Sequence, residues 1–310
     1  MPLHLLPRSL HYLETVARMG SVQAASRALG IAASAIDRQI ITLEEACGAP
    51  LFERHPRGMR LTTAGESVIL MARRWRADED RLEAELREMR GLQHGTVRLA
   101  AMDSLANSIL PVLIDRMAQD HPRIHLAIDI MTPKQAAQEL DNGTIDLAIA
   151  FNLPNDRTRH VLWSAPLPFG CVVGAGHPLW GQASIALKDA AQYPIAAQSR
   201  VLPSREYLDR RYGWLFDPVE PALVTNSLQL LKQVVRQGRL MAISSQLDTL
   251  AEIEAGELSF IRLTDAALKP QSIGVVVDAR RMLPRAARLV GETLAEVVGA
   301  RLARVTAPAA

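Results

Sequence analysis

Three glycines, Gly20, Gly30 and Gly48, cut the opening of the chain into segments too short for anything but brief helices or turns. Leu10, Leu13, Val16 and Ala17 recur at helical spacing, and Gly20 ends that run. Ser21 has the chemistry to cap the next segment, "VQAASRAL", which Gly30 ends. The third segment sets Ile36, Ile40, Leu43 and Cys47 on one inner face before Gly48. Two helices joined by a tight glycine-containing turn predict a helix-turn-helix.

The outward residues of the third helix are Ala33, Ser34, Asp37, Arg38 and Thr42, small or polar near the end that would approach base edges. Ser21, Gln23 and Arg27 complete the candidate DNA-facing set on the preceding segment. "LFER" and "MRLT" then flank a turn with Pro56 and Gly58, predicting a wing in which Arg54, Arg57 and Arg60 meet phosphates. Asp37 is out of character on such a surface, because DNA is a polyanion. Three readings stay open: it accepts from a cytosine N4 amino group, it orients Arg38 or Arg27, or it is a solvated acid favoured by the helix dipole.

Thr63 and Glu66 read as a capping box opening a helix that runs to about Leu92. Val68, Trp75, Leu82 and Met89 repeat every seven residues, with Ala72 and Leu86 on the neighbouring stripe, so self-association along this helix is expected. After "GLQHGT" the pattern changes to alternating strands and helices, the mark of α/β sheets with helices on both faces. A helix is expected from Ser104 to Gln119, another over 133–142, and a last one from about Arg285 to Arg304. Two successive sets of strands make two similar lobes with a cleft between them the economical arrangement. The expected division is 1–65 for the winged helix-turn-helix, 66–92 for the linker and dimerisation helix, and 93–305 for the two-lobe domain. Lobe I takes about 93–164 and 265–305, and lobe II about 165–264.

The net charge of +2 and the 22% charged residues do not by themselves point to nucleic acid, so basic character has to be local. No signal peptide or membrane span is legible, so a cytoplasmic protein without a membrane partner is expected. Cys47 and Cys171 lie far apart among apolar neighbours and read as core residues. No dinucleotide fingerprint, P-loop or nucleophile elbow occurs, and His121 and His125 lead into a strand, where i and i+4 do not converge. The chain is therefore read as a non-enzyme with no catalytic residues, no metal and no cofactor.

Ligands in open α/β lobes collect at the carboxyl ends of strands, against helix N-termini. Met102, Asp103 and Ser104 follow one strand, Thr132 caps the helix after the next, and Phe151 ends a third. In the second lobe Gln198, Ser199 and Asn226 occupy such ends. These residues suit a carboxylate or other anion, or they merely cap helices.

The stretch "LHYLETVARMGSVQAASRALGIAASAIDRQIITLEEACGAPLFERHPRGMRLTTAGE", with "ILPVLIDRMAQDHPRIHLAI", "LDNGTIDLAIAF" and "GAGHPL", resembles LysR-type transcriptional regulators essentially end to end. The resemblance implies an N-terminal winged helix-turn-helix, a dimerising linker helix and a two-lobe effector domain like periplasmic binding proteins. It also implies a dimer of dimers on promoter inverted repeats in double-stranded DNA, a small-molecule effector near Ser104 and Thr132, and RNA polymerase as a further partner. Alternatives are a regulator not gated by a ligand, and a small-molecule binding protein without a regulatory role. Ala33 and Asp37 depart from the Gln and Ser common in the family, which leaves the operator sequence open. "VVRQGRLMAISS" keeps Gly238 but lacks the family's second glycine and Ile-Leu-Pro.

Overall fold

The computed structural model describes residues 5–55, 58–89, 95–153, 156–200, 202–215 and 220–306. They divide into two compact units, Met1–His94 with Asp141–Thr144, and Gly95–Leu140 with Ile145–Ala310.

The first unit opens with α1 (Arg8–Met19), α2 (Val22–Leu29) and α3 (Ala33–Cys47). Each helix ends on a glycine with φ of 64° to 67°, a left-handed conformation that other residues adopt only at a cost. Leu13, Val16, Ala25, Ile36, Ile40 and Leu51 form their common core. β1 (Phe52–His55) pairs antiparallel with β2 (Gly58–Leu61), and α4 (Thr63–Met89) follows. Two expectations need correction here. Cys47 is exposed, because the apolar stripe of α3 runs past the edge of the core at the helix end. The cap of α4 is Thr62, whose hydroxyl accepts from the Gly65 N–H at 3.0 Å, so Thr63 is the first helical residue and Glu66 falls outside a capping box.

In the second unit, the first sheet has the order β4-β3-β5-β13-β6. Its strands are β3 (Gly95–Ala101), β4 (Ile124–Ile130), β5 (Leu147–Phe151), β6 (Arg159–Leu167) and β13 (Gln271–Asp278). The first three run parallel, whereas β13 runs antiparallel to both β5 and β6. One face packs on α5 (Leu110–Asp120) and α11 (Arg285–Thr306) through Leu99, Leu113, Ile149, Ile273, Val290 and Leu294. The other face meets α6 (Pro133–Asn142) through Ala136, Leu140, Ala148 and Val276.

The second lobe carries a mixed sheet, β11-β7-β12-β8, of β7 (Phe169–Gly174), β8 (Ser184–Ile185), β11 (Met241–Ser245) and β12 (Leu258–Leu263). A parallel pair, β9 (Ala196–Gln198) with β10 (Leu223–Thr225), adjoins its β11 edge, where Ile195 bridges to Met241 and the Met241 N–H donates to the Pro194 carbonyl at 3.0 Å. The helices are α7 (Leu187–Ala190), α8 (Pro203–Tyr212), α9 (Leu228–Val235) and α10 (Leu250–Glu254). Leu247 and Leu250, reached from β11, belong to the core of the first lobe, so the lobes interlock there.

The helix expected from Ser104 starts instead at Leu110. Residues 103–105 form a single 3-10 turn, and Pro111 fits only a first helical turn because it has no N–H to donate. Strand β6 has no matching hydrophobic alternation in the sequence. Among the described residues, no helix is long and apolar enough to cross a membrane.

A Cβ on Gly65 would stand 2.1 Å from the Leu51 carbonyl oxygen and 2.9 Å from Leu61 Cδ2. Backbone cannot yield as a flexible side chain does, so Gly65→Ala is expected to destabilise the first unit by about 1–3 kcal/mol. Urea denaturation followed by circular dichroism measures this; an unchanged midpoint would show that α4 shifts freely.

Candidate nucleic-acid interface and ligand cleft

In the first unit a concavity of about 440 Å³ lies between the start of α3 and the wing, lined by Ser21, Gln23, Ala33, Ser34, Asp37 and His55 among others. Ser21 caps α2 by accepting from the Ala24 N–H at 3.4 Å. The wing is pinned to the turn before α2, where the Met59 N–H donates to the Gly20 carbonyl at 2.8 Å. A Cβ on Gly58 would come within 2.3 Å of that same carbonyl oxygen, which fixes glycine there. Glu44, not singled out from sequence, accepts from the Leu51 and Phe52 N–H groups at 2.7 and 3.1 Å and ties α3 to β1. Its only sequence signal is an acid next to Leu43 on the inner side of the helix end.

Ser34, Arg38, Gln23 and Arg27 are exposed, while Ala33 and Asp37 are half-buried in the groove. Thr42 is exposed and its hydroxyl donates back to the Arg38 carbonyl at 2.9 Å. Arg60 is exposed on β2; Arg54 falls on β1, and Arg57 lies outside the described residues. Asp37 is the fifth residue of α3, beyond the first turn, where the dipole argument no longer reaches. Among the described residues, it also forms no ion pair with Arg27 or Arg38.

Along α4 the expected stripe divides. Val68 packs on the first unit's core and Ala72 is buried within one chain. Trp75, Leu82 and Leu86 are 40% to 45% exposed, together with Met71, which the sevenfold repeat had missed. Met89 is the last residue of α4.

The effector candidates in the second unit differ in availability. Met102 accepts the Phe151 N–H on its sulfur at 3.0 Å, and Asp103 is exposed beside it. Phe151 itself is a correction, since its side chain is 2% exposed inside the first lobe's core and cannot line an open cleft. Thr132 is spent on a capping box, its N–H donating to Gln135 Oε1 at 3.0 Å and its hydroxyl accepting from the Gln135 N–H at 3.4 Å. The Gln198 carbonyl accepts from buried Arg205 at 3.2 Å, and the Ser199 N–H donates to the Thr225 carbonyl at 2.8 Å. Asn226 is exposed, but Ser227 is the residue that caps α9, accepting from the Leu230 N–H at 3.2 Å.

Two polar links across the lobes were not legible in the sequence. The Ser204 hydroxyl at the start of α8 donates to Gln271 Oε1 at 2.8 Å. Ser104, 7% exposed, is buried without a well-aligned hydrogen bond of its own, yet it is near enough to act on the Asp248 carboxyl. Asp248 accepts from the Ser244 hydroxyl at 2.5 Å and from the Ser245 N–H at 3.1 Å.

Residues 7–66 match the family model of the bacterial regulatory helix-turn-helix protein, lysR family, and residues 90–299 match the LysR substrate binding domain. A probable nitrogen assimilation transcriptional activator of Synechococcus elongatus is 30% identical over 234 residues, 74% of this chain and 75% of that protein. An SDS degradation transcriptional activation protein of a Pseudomonas species is 28% identical over 287 residues, 90% of this chain and 92% of that protein. Full-length CbnR complexed with its target DNA has the same fold, with a TM-score of 0.68 at 20% identity over 95% of this chain and 99% of that one.

Burial pushes the Asp248 carboxyl above its usual value of 3.8, against the hydrogen bonds from Ser244 and Ser245. The folded chain therefore holds that proton more tightly than the unfolded chain does. The stability linked to it is complete below the unfolded value and is lost as pH rises through the folded one. Asp248→Asn has no such proton, so its melting temperature relative to wild type is expected to climb as pH rises from the ordinary carboxylate range. A difference independent of pH would mean that the carboxyl titrates alike in both states.

Proposed function

The chain belongs to the LysR family of DNA-binding transcriptional regulators, and from that premise we propose that an anionic metabolite held between its two lobes sets how it engages its operator. The observation that carries this reading is the Ser204–Gln271 hydrogen bond, which joins the N-terminus of α8 in one lobe to the crossover strand of the other. A ligand that favours one lobe orientation acts directly on that joint, and it shifts the equilibrium only by its differential affinity for the two orientations. Ser104 and the α8 N-terminus supply polar groups at the carboxyl ends of strands, where an anion is favoured. Met102, Asp103, Gln198, Ser199 and Asn226 flank them, and Thr132 acts through its cap.

On the DNA side, Ala33, Ser34 and Asp37 read bases, while Arg27, Arg38 and the wing arginines Arg54, Arg57 and Arg60 hold phosphates, aided by Ser21, Gln23 and Thr42. So few cations in one module make weak binding, and avidity between copies raises it. The exposed stripe Met71, Trp75, Leu82 and Leu86, continued by Met89, is the surface for that self-association, and dimers pair further into tetramers. A cytoplasmic location follows from a double-stranded DNA target, and RNA polymerase is the natural further partner.

Two outcomes test this. In a thermal-shift panel of small carboxylates on the full-length chain, at least one is expected to raise the melting temperature and to alter the footprint on upstream DNA. A bound carboxylate that leaves both footprint and transcription unchanged would remove the gating. Selection from randomised DNA is expected to give cytosine at one position of each half-site, relaxed in Asp37→Ser by about 1–3 kcal/mol of discrimination. An identical preference in the two proteins would make Asp37 a spectator.

A further inference from the structure

The ladder between the two lobe crossings ends where Leu167 stands opposite Gln271. Continued by two residues, the same register would set Phe169 opposite Lys269. The chain forks there instead. Phe169 opens β7 and pairs with Ser245 of β11, whereas Lys269 approaches β13 from the loop after β12. At such a fork the ladder stops supplying partners for backbone N–H groups.

Tyr207, on α8, fills the fork. Its ring stacks on the Phe169 ring with centroids 5.7 Å apart and planes 2° from parallel, and its hydroxyl accepts the Lys269 N–H at 3.0 Å. One side chain thus holds both crossings, each two residues beyond their last paired position. Ser204 stands one turn earlier on the same helix face, and its hydroxyl donates to Gln271 Oε1 at 2.8 Å. The rest of the helix is fixed to the second lobe. Leu208 and Tyr212 are buried in that lobe's core, and buried Arg205 donates to Asp209 at 2.7 Å and to the Gln198 carbonyl at 3.2 Å. Helix α8 therefore lies across the fork as a strap, tied to the crossings at two levels. A hinge rotation must carry the helix with it or break those ties.

We propose that Tyr207 is the clasp of this strap, holding the two lobes in one orientation until its hydroxyl releases Lys269 and frees the hinge. The proposal rests on the reading that the lobes reorient, but not on which ligand drives them. The hydroxyl is the part that lets go. Lys269 is exposed, so water takes over its N–H when Tyr207 leaves, and little is lost in the exchange. The stacked ring keeps Tyr207 beside the fork, so the clasp can close again. Because α8 is a continuous helix, a shift at its N-terminus, where the proposed anion sits, reaches Tyr207 within about one turn.

Pulsed electron spin resonance on the full-length chain tests the strap without any ligand. Spin labels at Ala118→Cys on α5 and Lys188→Cys on α7, both exposed positions, report one distance between the lobes. Cys47→Ser removes the exposed thiol, and buried Cys171 stays unlabelled. Labelled chains are mixed with an excess of unlabelled ones, so that pairs within one chain dominate. Tyr207→Phe keeps the ring and loses the acceptor. It is expected to keep the wild-type fold and to raise the population of a second interlobe distance about two- to tenfold. Tyr207→Leu also loses the stack and is expected to raise it further. Deuterium exchange at the Lys269 amide is expected to quicken in both. Superimposable distances in wild type and both variants, with faster exchange at Lys269, would overturn the clasp, because the bond would exist without restraining the lobes. Unchanged exchange would overturn it too, since Tyr207 would not then hold that N–H. The ligand reading fails by a different result, when no carboxylate moves the melting temperature or the footprint.

Discussion

The two crossings between the α/β lobes are held side by side, and everything in the second unit depends on that pairing. One crossing leaves β6 at Leu167 and the other enters β13 at Gln271, and these two residues are partners in the same antiparallel ladder. Two paired strands can bend or twist together, but they cannot slide apart without breaking a ladder. The paired crossings thus favour hinge bending over sliding for any ligand-driven reorientation of the lobes. Gln271 is 2% exposed, and its oxygen takes the Ser204 hydroxyl and the Asn152 amide, one from each lobe. Asn152, with φ of 48°, is the single non-glycine residue in the left-handed region among the described residues. Its N–H donates to the Ser272 carbonyl at 2.7 Å, so the strain is held in place by the ladder beside it.

The N-terminal unit solves a different problem with the same economy. Helix α3 and the wing must keep a fixed spacing to meet a groove and its flanking phosphates. The Gly20 carbonyl holds one side of the wing and Glu44 holds the other, each through backbone N–H groups that would otherwise be unsatisfied. Neither contact reads a base, yet both decide where Ala33, Ser34 and Asp37 point.

What the sequence disclosed follows from the range of each signal. The three opening helices were legible because glycine and apolar spacing are local. The wing was legible because two short strand-like segments, "LFER" and "MRLT", flank a Pro/Gly turn. Strand β6 was not, since Trp163, Pro166 and a run of exposed residues on a sheet edge mask any alternation. Apolar spacing carries α5 back to Ser104, whereas Pro111, which fits only a first helical turn, sets its start at Leu110. The partner that makes Gly58 or Gly65 obligatory lies far along the chain, so composition cannot reveal it. Phe151 marks the limit for the ligand site, because a strand end next to a cleft and a strand end inside a core look identical in sequence. Ser204 and Gln271, which carry the interlobe bond, lie 67 residues apart and have no shared motif.

Asp37 gains meaning from the contacts it lacks. It lies half-buried in the groove, beyond the first turn of α3, and pairs with neither Arg27 nor Arg38. Docking against DNA strips water from it in a field of phosphates, which is costly unless a donor replaces that water. In the major groove the exocyclic amino groups of cytosine and adenine donate, but adenine sets its amino group beside the N7 acceptor, and guanine and thymine offer acceptors alone. A carboxylate there thus selects as much by repelling the wrong edges as by binding the right one, which is how a specificity difference is most readily built. Ala33 one turn earlier removes a side chain that would compete for the same edge and leaves an apolar surface for a thymine methyl. On the proposed reading the pair would trade the affinity of a long amide for discrimination, a trade that avidity between copies would offset.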